Sequence, residues 1–499
     1  MDDRIEQSDY ERQRIDNVRP PAWRNPQPHA LYDLVVIGGG PAGLVACESA
    51  VELGARVALV ERDALGGNCL NVGCIPSKAL IRTARLYAEM RSAGHYGARA
   101  VEMARADFPA VMERMRRIRA RLSRGDSAAR LAKAGVDVFY GDGAFSGPDS
   151  VDVGGSRLRF QRALIATGAR PDTPRIPGLA KAGYLTNETV FDLAALPQRL
   201  LVIGGGPLGC ELAQAFGRFG ARTTIAQEIP LFLPKEERDA AQLLSDALAR
   251  DGIEVRLNTE AVRVHVDDGA KVVDLVSDDS HSQIVVDEIL TGVGRVPNVT
   301  GLNLEAAGVD YDAAAGVATD DFLRTTNRRV YAAGDVTLAH AFTHTADASA
   351  RIVVRNALLR GRARLSALTI PWCTYTDPEI AHVGLYVREA RERDIPVRTF
   401  TIPMHDVDRA ITDGEERGFV KIHVHDHSDR ILGATIVARH AGEMINEITL
   451  AMVAGIGLST LARVIHAYPT QAAAIRQAAV AYERTRTPPQ KRAMRMRAG

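Results

Sequence analysis

Five cysteines in 499 residues are too few for a disulfide-stapled scaffold, and such scarcity leads to the expectation of a reducing cytoplasm. No stretch approaches the about 18 uninterrupted apolar residues that a membrane span needs, so none is expected. The opening residues, MDDRIEQSDYERQRIDNVRPPAW, are charged throughout and lack the apolar core of a secretory signal. A dominant charge is missing too. With 62 Lys+Arg against 61 Asp+Glu, no strong field favours nucleic acid or an anionic membrane. What remains is ordinary globular composition, 46% apolar and 25% charged, in a chain long enough for about three domains.

Residues 1 to 30 are polar and end in Pro20, Pro21, Pro26 and Pro28; they read as an arm, helical early, that joins no core of its own. Two later stretches resemble each other: YDLVVIGGGPAGLVACESAVELGARVALVERD (32–63) and QRLLVIGGGPLGCELAQAFGRFGARTTIAQE (198–228). Each reads as buried strand, glycine turn, helix with small residues on one face, and second strand. The duplication, with unlike flanks, argues for two βαβ nucleotide-binding units rather than a solenoid. Between them lies a helical, Arg-rich stretch (79–134) and then short strands. Residues 253–335 are strand-rich, and from 366 strands such as FVKIHVH and ILGATIVARH precede helices to 484. The last fifteen residues are basic and read as frayed.

Gly38, Gly40 and Gly43 form G-x-G-x-x-G directly after the strand DLVVI. The first glycine permits the tight turn, the second admits a pyrophosphate, and the third lets helix approach strand. Glu61, at the end of the next strand, is where an acid accepts hydrogen bonds from ribose hydroxyls. A bare glycine turn also serves plain loops; the strand and helix around it favour the nucleotide. Gly204, Gly206 and Gly209 repeat the motif after RLLVI, with Gln227 and Glu228 at the acid position. Neither is an arginine that would pair with a ribose 2′-phosphate, so the second site leans to NADH over NADPH, although Arg222 and Lys235 lie near in sequence.

Cys69 and Cys74 sit in GGNCLNVGCIPSKAL (66–80), after the first unit. On an unbroken helix their Cα atoms would be about 8–9 Å apart, whereas a disulfide usually needs under about 7 Å. A bridge therefore requires a distorted turn, which Gly73 permits, and Pro76 fits the helix start that follows. Lys78, one turn beyond Cys74, presents a charge that would stabilise a thiolate or a reduced flavin. The plainer alternative is two unrelated buried thiols. Cys47, Cys210 and Cys373 lie among apolar or small residues and read as core.

Together these motifs resemble the class I pyridine nucleotide-disulfide oxidoreductases, among them dihydrolipoamide dehydrogenase, glutathione reductase and mercuric reductase. GGNCLNVGCIPSK, IATG (165–168), the second glycine motif and AAGD (332–335) occur in that family's order, and the resemblance spans residues 31–480. It implies an α/β chain with two Rossmann-like dinucleotide-binding domains, for FAD and NAD(P)H, and a C-terminal α+β dimerisation domain. The implied boundaries are the arm at 1–30, the FAD domain at 31–170 and 292–365, the NAD(P) domain at 171–291, and the dimerisation domain at 366–499. Cys69 would be the interchange thiol, Cys74 the charge-transfer thiol, and Lys78 would pair with Glu211 near the flavin. Thr167, Gly168 and Gly143 would line the FAD site. Asp335 would bind the ribitol, and the helix start at Ala341, Phe342, Thr343 and His344 would face the pyrimidine edge. Gly294 would touch the nicotinamide nucleotide. Each active site would be completed by the partner of a homodimer.

The departures are informative. Disulfide-reducing members carry H-P-T-x-x-E, whose His–Glu pair serves the interchange thiol; here YPTQAA puts Tyr468 and Ala473 at those places. A phenol of ordinary pKa, about 10, is a poor proton shuttle at neutral pH. His466, two residues earlier, is the alternative shuttle. Mercuric reductases also have tyrosine near that point, which makes them the nearer comparison, but no cysteine follows Cys373 in this sequence and no N-terminal metal-binding domain is expected. The expectation is an enzyme passing electrons from NAD(P)H through FAD and the Cys69–Cys74 disulfide to a soft metal ion or another acceptor. The alternatives are a dihydrolipoamide or other disulfide reductase, a flavin-only diaphorase or transhydrogenase, and a redox-sensing flavoprotein without turnover. His423, His425 and His427 alternate along FVKIHVHDHSD; a solvated strand entering a hairpin explains them, and no resident metal site is expected.

Overall fold

The structure is a computed structural model that describes residues 8–99, 106–278, 280–337 and 340–486. The basic tail read as frayed lies outside the described residues from 487 onward, as do the first seven residues of the arm.

The two duplicated stretches build two parallel sheets of the same plan. In the first, β1 (Tyr32–Ile37) leads through the glycine turn into α2 (Pro41–Glu52), and β2 (Val57–Glu61) returns beside it. With β3 (Val136–Tyr140) and β4 (Ser156–Ile165) the parallel order is β3–β2–β1–β4, extended by an antiparallel pair beyond β4 and by β9 (Val330–Ala332). Strands covered on both faces read as unbroken apolar runs, and β1 and β2 do so because helices lie on one side and the strand pair on the other. In the second sheet β5 (Arg199–Ile203), α6 (Pro207–Phe219) and β6 (Arg222–Ala226) repeat the unit. With α7 (Arg238–Arg250), β7 (Glu254–Arg256) and β8 (Glu288–Thr291), its order is β7–β6–β5–β8, again all parallel.

Between the units run α3 (Gly67–Val72), α4 (Cys74–Ser92) and α5 (Phe108–Ser123), with α8 (Thr343–Leu358) returning after β9. The last part is one antiparallel sheet. Its strands are β10 (Pro371–Thr374), β11 (Glu379–Gly384), β12 (Val397–Pro403), β13 (Phe419–His425) and β14 (Ile431–Ala438). They run in the order β10–β11–β14–β13–β12, with α9 (Ala441–Val453) and α10 (Ala473–Arg486) sharing their core. Among the described residues, no helix is long and apolar enough to cross a membrane.

Two readings change. The arm builds no core of its own, yet it is docked: α1 (Asp9–Val18) places Val18, wholly buried, in the core of the first domain. His423 is not on a solvated face. It is 1% exposed, its Nε2 lies 3.1 Å from Glu237 Oε1 and its Nδ1 2.9 Å from Thr399 Oγ1. The residue before α7 packs over β13, so that strand is buried on both faces; His427 alone of the three is exposed. Among the described residues no group of three or more His, Cys, Asp or Glu is placed to hold a metal ion.

Candidate active site

The two glycine turns share a construction below the level of the motif. Gly38 has φ +106°, and a Cβ on Gly43 would lie 1.8 Å from the Gly38 carbonyl oxygen, so only glycine lets α2 start against β1. Gly39 N–H donates to Glu61 Oε2 at 2.6 Å, and Asp63 N–H donates to Oε1 at 2.6 Å. In the second turn Gly204 has φ +103°, a Cβ on Gly209 would lie 2.2 Å from the Gly204 oxygen, and Gly205 N–H donates to Gln227 Oε1 at 2.6 Å. Glu228 is exposed beside it. Glycine caps both helices, neither N-terminus receives a side-chain hydrogen bond, and proline takes the first helical turn. Uncapped N–H groups, the positive helix end and a cradle without Cβ atoms fit the pyrophosphates of two dinucleotides. FAD fits the first turn, where Gly38, Gly40, Gly43 and Glu61 would hold it. Burial pushes the Glu61 carboxyl above its usual range, which suits an acid that shares hydrogen bonds with hydroxyls.

The cysteines occupy two helices rather than one. α3 ends at Val72, Gly73 takes φ −142° and ψ −112°, and α4 begins on Cys74. A Cβ at Gly73 would lie 2.7 Å from the Asn68 oxygen, so the break that the spacing demanded depends on that glycine. Both thiols are free here. The Cys69 S–H donates towards Cys74, which lowers the Cys74 thiol to about 6, helped by Thr343 and the Lys78 charge against the cost of burial. The same bond and burial push Cys69 up. This asymmetry favours the thiolate on Cys74 over Cys69. Cys74 Sγ lies 3.4 Å from Thr343 Oγ1, the first residue of α8.

Lys78 Nζ donates to Glu211 Oε2 at 2.9 Å, and Glu211, 4% exposed, is oriented by Tyr375 N–H at 2.9 Å. The ammonium also lies 4.5 Å from the centre of the Tyr375 ring. Burial works against its charge, but Glu211 and Cys74 hold its pKa above the ordinary value. Around these groups, Thr167 Oγ1 donates to the Asn298 oxygen at 2.8 Å, and Asn298 returns a bond to the Thr167 oxygen at 2.9 Å. Gly168 has φ +67° and accepts from Asn298 N–H. Asp335 faces Arg295 at 3.4 Å, next to Gly294 with φ +138°. Gly143 abuts Val60, where a Cβ would lie 2.8 Å from Val60 Cγ1. Of the four residues at the start of α8, Ala341 is exposed, Thr343 reaches Cys74, and Phe342 and His344 stack on one another towards Trp372 and Pro371.

The structure thus brings together Cys69, Cys74, Lys78, Glu211 and Thr343. Tyr468 stands apart, 78% exposed, with its OH donating to Asp408 Oδ2 at 2.8 Å, a bond that raises its pKa. His466 turns to Glu447, Nε2 to Oε1 2.9 Å. Cys373, read as core, is only half-buried, with Glu379 and Gly442 beside it. Cys47 and Cys210 are wholly buried, as read. Sequence reasoning missed the Thr343–Cys74 contact, the Asn298 clasp and the Tyr375 bond, which span separations of 269, 131 and 164 residues and leave no local pattern.

Two family models match this chain: pyridine nucleotide-disulphide oxidoreductase over residues 32–351, and the dimerisation domain of the same family over 370–479. A mercuric reductase of Staphylococcus aureus is 32% identical over 453 residues, spanning 91% of this chain and 83% of that enzyme. A dihydrolipoyl dehydrogenase of Thermus scotoductus is 35% identical over 464 residues, spanning 90% and 97%. Among solved structures, a Cu(II) complex of the HOCl-induced flavoprotein disulfide reductase RclA from Escherichia coli superposes with a TM-score of 0.80 at 30% identity, covering 89% of this chain and 98% of that one. The chain therefore belongs to the class I pyridine nucleotide-disulphide oxidoreductases and is an FAD-dependent, NAD(P)H-driven enzyme.

Proposed function

We propose that this enzyme passes electrons from NADH to a soft metal ion held by Cys69 and Cys74, acting as a cytoplasmic homodimer. The observation that carries it is the gathering of Cys69 and Cys74 with Thr343, Lys78 and Glu211, combined with Tyr468 and Ala473 where a disulfide reductase needs its His–Glu pair. Bound at the first glycine turn, FAD supplies the two-electron link between a nicotinamide and a disulfide. Lys78, held by Glu211, sets a positive charge beside the thiolate. Reduction of the Cys69–Cys74 bridge takes two electrons and one proton and leaves a thiol and a thiolate. A soft divalent ion that displaces the remaining proton meets two sulfur donors, which such ions prefer. Re-forming the S–S bond returns two electrons, enough to take one ion down by two or two ions down by one.

Mercuric reductases among the relatives, and a neighbour solved with Cu(II), support an ion as acceptor. Gln227 and exposed Glu228, rather than an arginine, follow the end of that strand, which supports NADH. Anaerobic NADH consumption with Hg(II), Cu(II), lipoamide and glutathione disulfide, in the wild type and in Cys69→Ser, tests the reading. Turnover with an ion that Cys69→Ser abolishes supports it. Turnover with the disulfides and not the ions makes the chain a disulfide reductase, and ion turnover that survives Cys69→Ser leaves a flavin-only enzyme.

A further inference from the structure

The arm lies before the family match, which begins at residue 32, so nothing assigned to the family accounts for it. Its contacts are not scattered. Val18 O accepts from Leu65 N–H at 3.0 Å and from Tyr140 OH at 2.7 Å, and Arg19 pairs with Asp63. Trp23 Nε1 donates to Val138 O at 3.0 Å. Asn25 bonds Tyr140 twice, donating to its carbonyl at 2.9 Å and accepting from its N–H at 2.8 Å. β3 is the edge strand of the first sheet, and these bonds satisfy the outward-facing groups of its last residues. A second set reaches α3. Glu11 pairs with Arg119, Arg14 bonds Asn71 Oδ1, and Asn71 Nδ2 donates to Leu65 O at 3.0 Å and Gly67 O at 2.9 Å.

The arm therefore lands on the carboxyl ends of β2 and β3 and on the turn leading to Cys69. In an open α/β sheet the dinucleotide lies across the carboxyl ends of the strands, pyrophosphate at the glycine turn and ribose at the acid ending β2. Beyond Glu61, the residues that come next are Arg62 and Asp63, and Asp63 is the one Arg19 holds. Where arm meets domain opens a cleft of about 900 Å³, lined by Arg14, Arg19 and Trp23 of the arm and Arg62, Arg119 and Tyr140 of the domain, with Trp23 edge-on to Tyr140 and three of the arginines paired to Glu11 and Asp63. Its aromatic rings, and five arginines against three carboxylates, suit a base joined to phosphate.

We propose that residues 9–25 are the outer wall of the adenosine end of the FAD site and hold the cofactor in. The inference depends on FAD binding and not on the electron acceptor. Linkage supplies a test on the wild-type holoenzyme, because a segment that tightens FAD must itself be tightened by FAD to the same degree. Hydrogen exchange of the arm's amides, compared between flavin-stripped and FAD-reloaded protein, slows on reloading; equal exchange in the two states overturns the proposal. The second test is the Trp23→Ala/Asn25→Ala double variant, followed by the fluorescence of flavin released on dilution. It loses FAD at least about tenfold faster than wild type, an effect carried by the off-rate. Release at the wild-type rate from a folded double variant overturns it as well.

Discussion

At the scale of the residue, the centre rests on one asymmetric pair of sulfurs. The Cys69 S–H first, then Thr343 and Lys78, favour the charged form of Cys74, and with its pKa lowered to about 6 the thiolate is expected above that pH and lost as pH falls through it. In the two-electron-reduced protein, the thiolate-to-flavin absorbance therefore follows a single titration near pH 6. Thr343→Val removes a hydrogen bond to a charged acceptor, of order 1.5–3 kcal/mol, and shifts that titration up by roughly one to two units. An unmoved midpoint would show that the 3.4 Å contact does not act on Cys74. Glu211→Leu leaves the Lys78 ammonium facing the Tyr375 ring without its carboxylate, and we expect NADH-driven flavin reduction slowed about tenfold or more in stopped flow. The proposed nucleotide preference also belongs here: at equal subsaturating concentration we expect NADH to reduce the flavin faster than NADPH, and the reverse order in stopped flow would refute it.

At the scale of the element, what was legible was local. Both glycine turns, the helix break at Gly73 and the placement of Lys78 one turn past Cys74 follow from spacing, because each is fixed by backbone geometry within a few residues. Spacing does not report what packs on an element from far away. The alternation of His423 with Ile422 and Val424 marks opposite faces of β13, but whether the second face meets water depends on Glu237, 186 residues distant. The docking of α1 escaped for the same reason: a polar, proline-terminated segment reads as an arm, and its ion pair to Arg119 spans 108 residues. Gly43→Ala tests the element directly. With the Cβ 1.8 Å from the Gly38 oxygen, α2 must move off β1, at an overpacking cost of about 1–3 kcal/mol. The variant should purify largely without flavin, read from the ratio of visible to protein absorbance, whereas full flavin content would mean that the cradle is wider than drawn.

At the scale of the whole molecule, one βαβ plan is used twice, and the residue that accepts from the N–H after the first motif glycine differs: Glu61 for Gly39, Gln227 for Gly205. The third sheet carries exposed apolar side chains on α9 and on the segment before Tyr468, among them Leu450, Val453 and Ile465, the last 93% exposed. A dimerisation domain explains such a surface. Light scattering should return twice the chain mass, and Val453→Asp combined with Ile465→Asp should lower it towards one. The closeness of Cys69 and Cys74 to Lys78 was legible from their spacing; the exposure of Tyr468 and its bond to Asp408, 60 residues away, was not, because no local pattern reports it. The central claim is that Cys74 is in electronic contact with bound flavin, and an anaerobic titration with NADH, followed by the visible spectrum, tests it most directly. The account predicts a long-wavelength charge-transfer band at two electrons per subunit, absent in Cys74→Ser with FAD still bound. Flavin bleaching without that band in the wild type would contradict it.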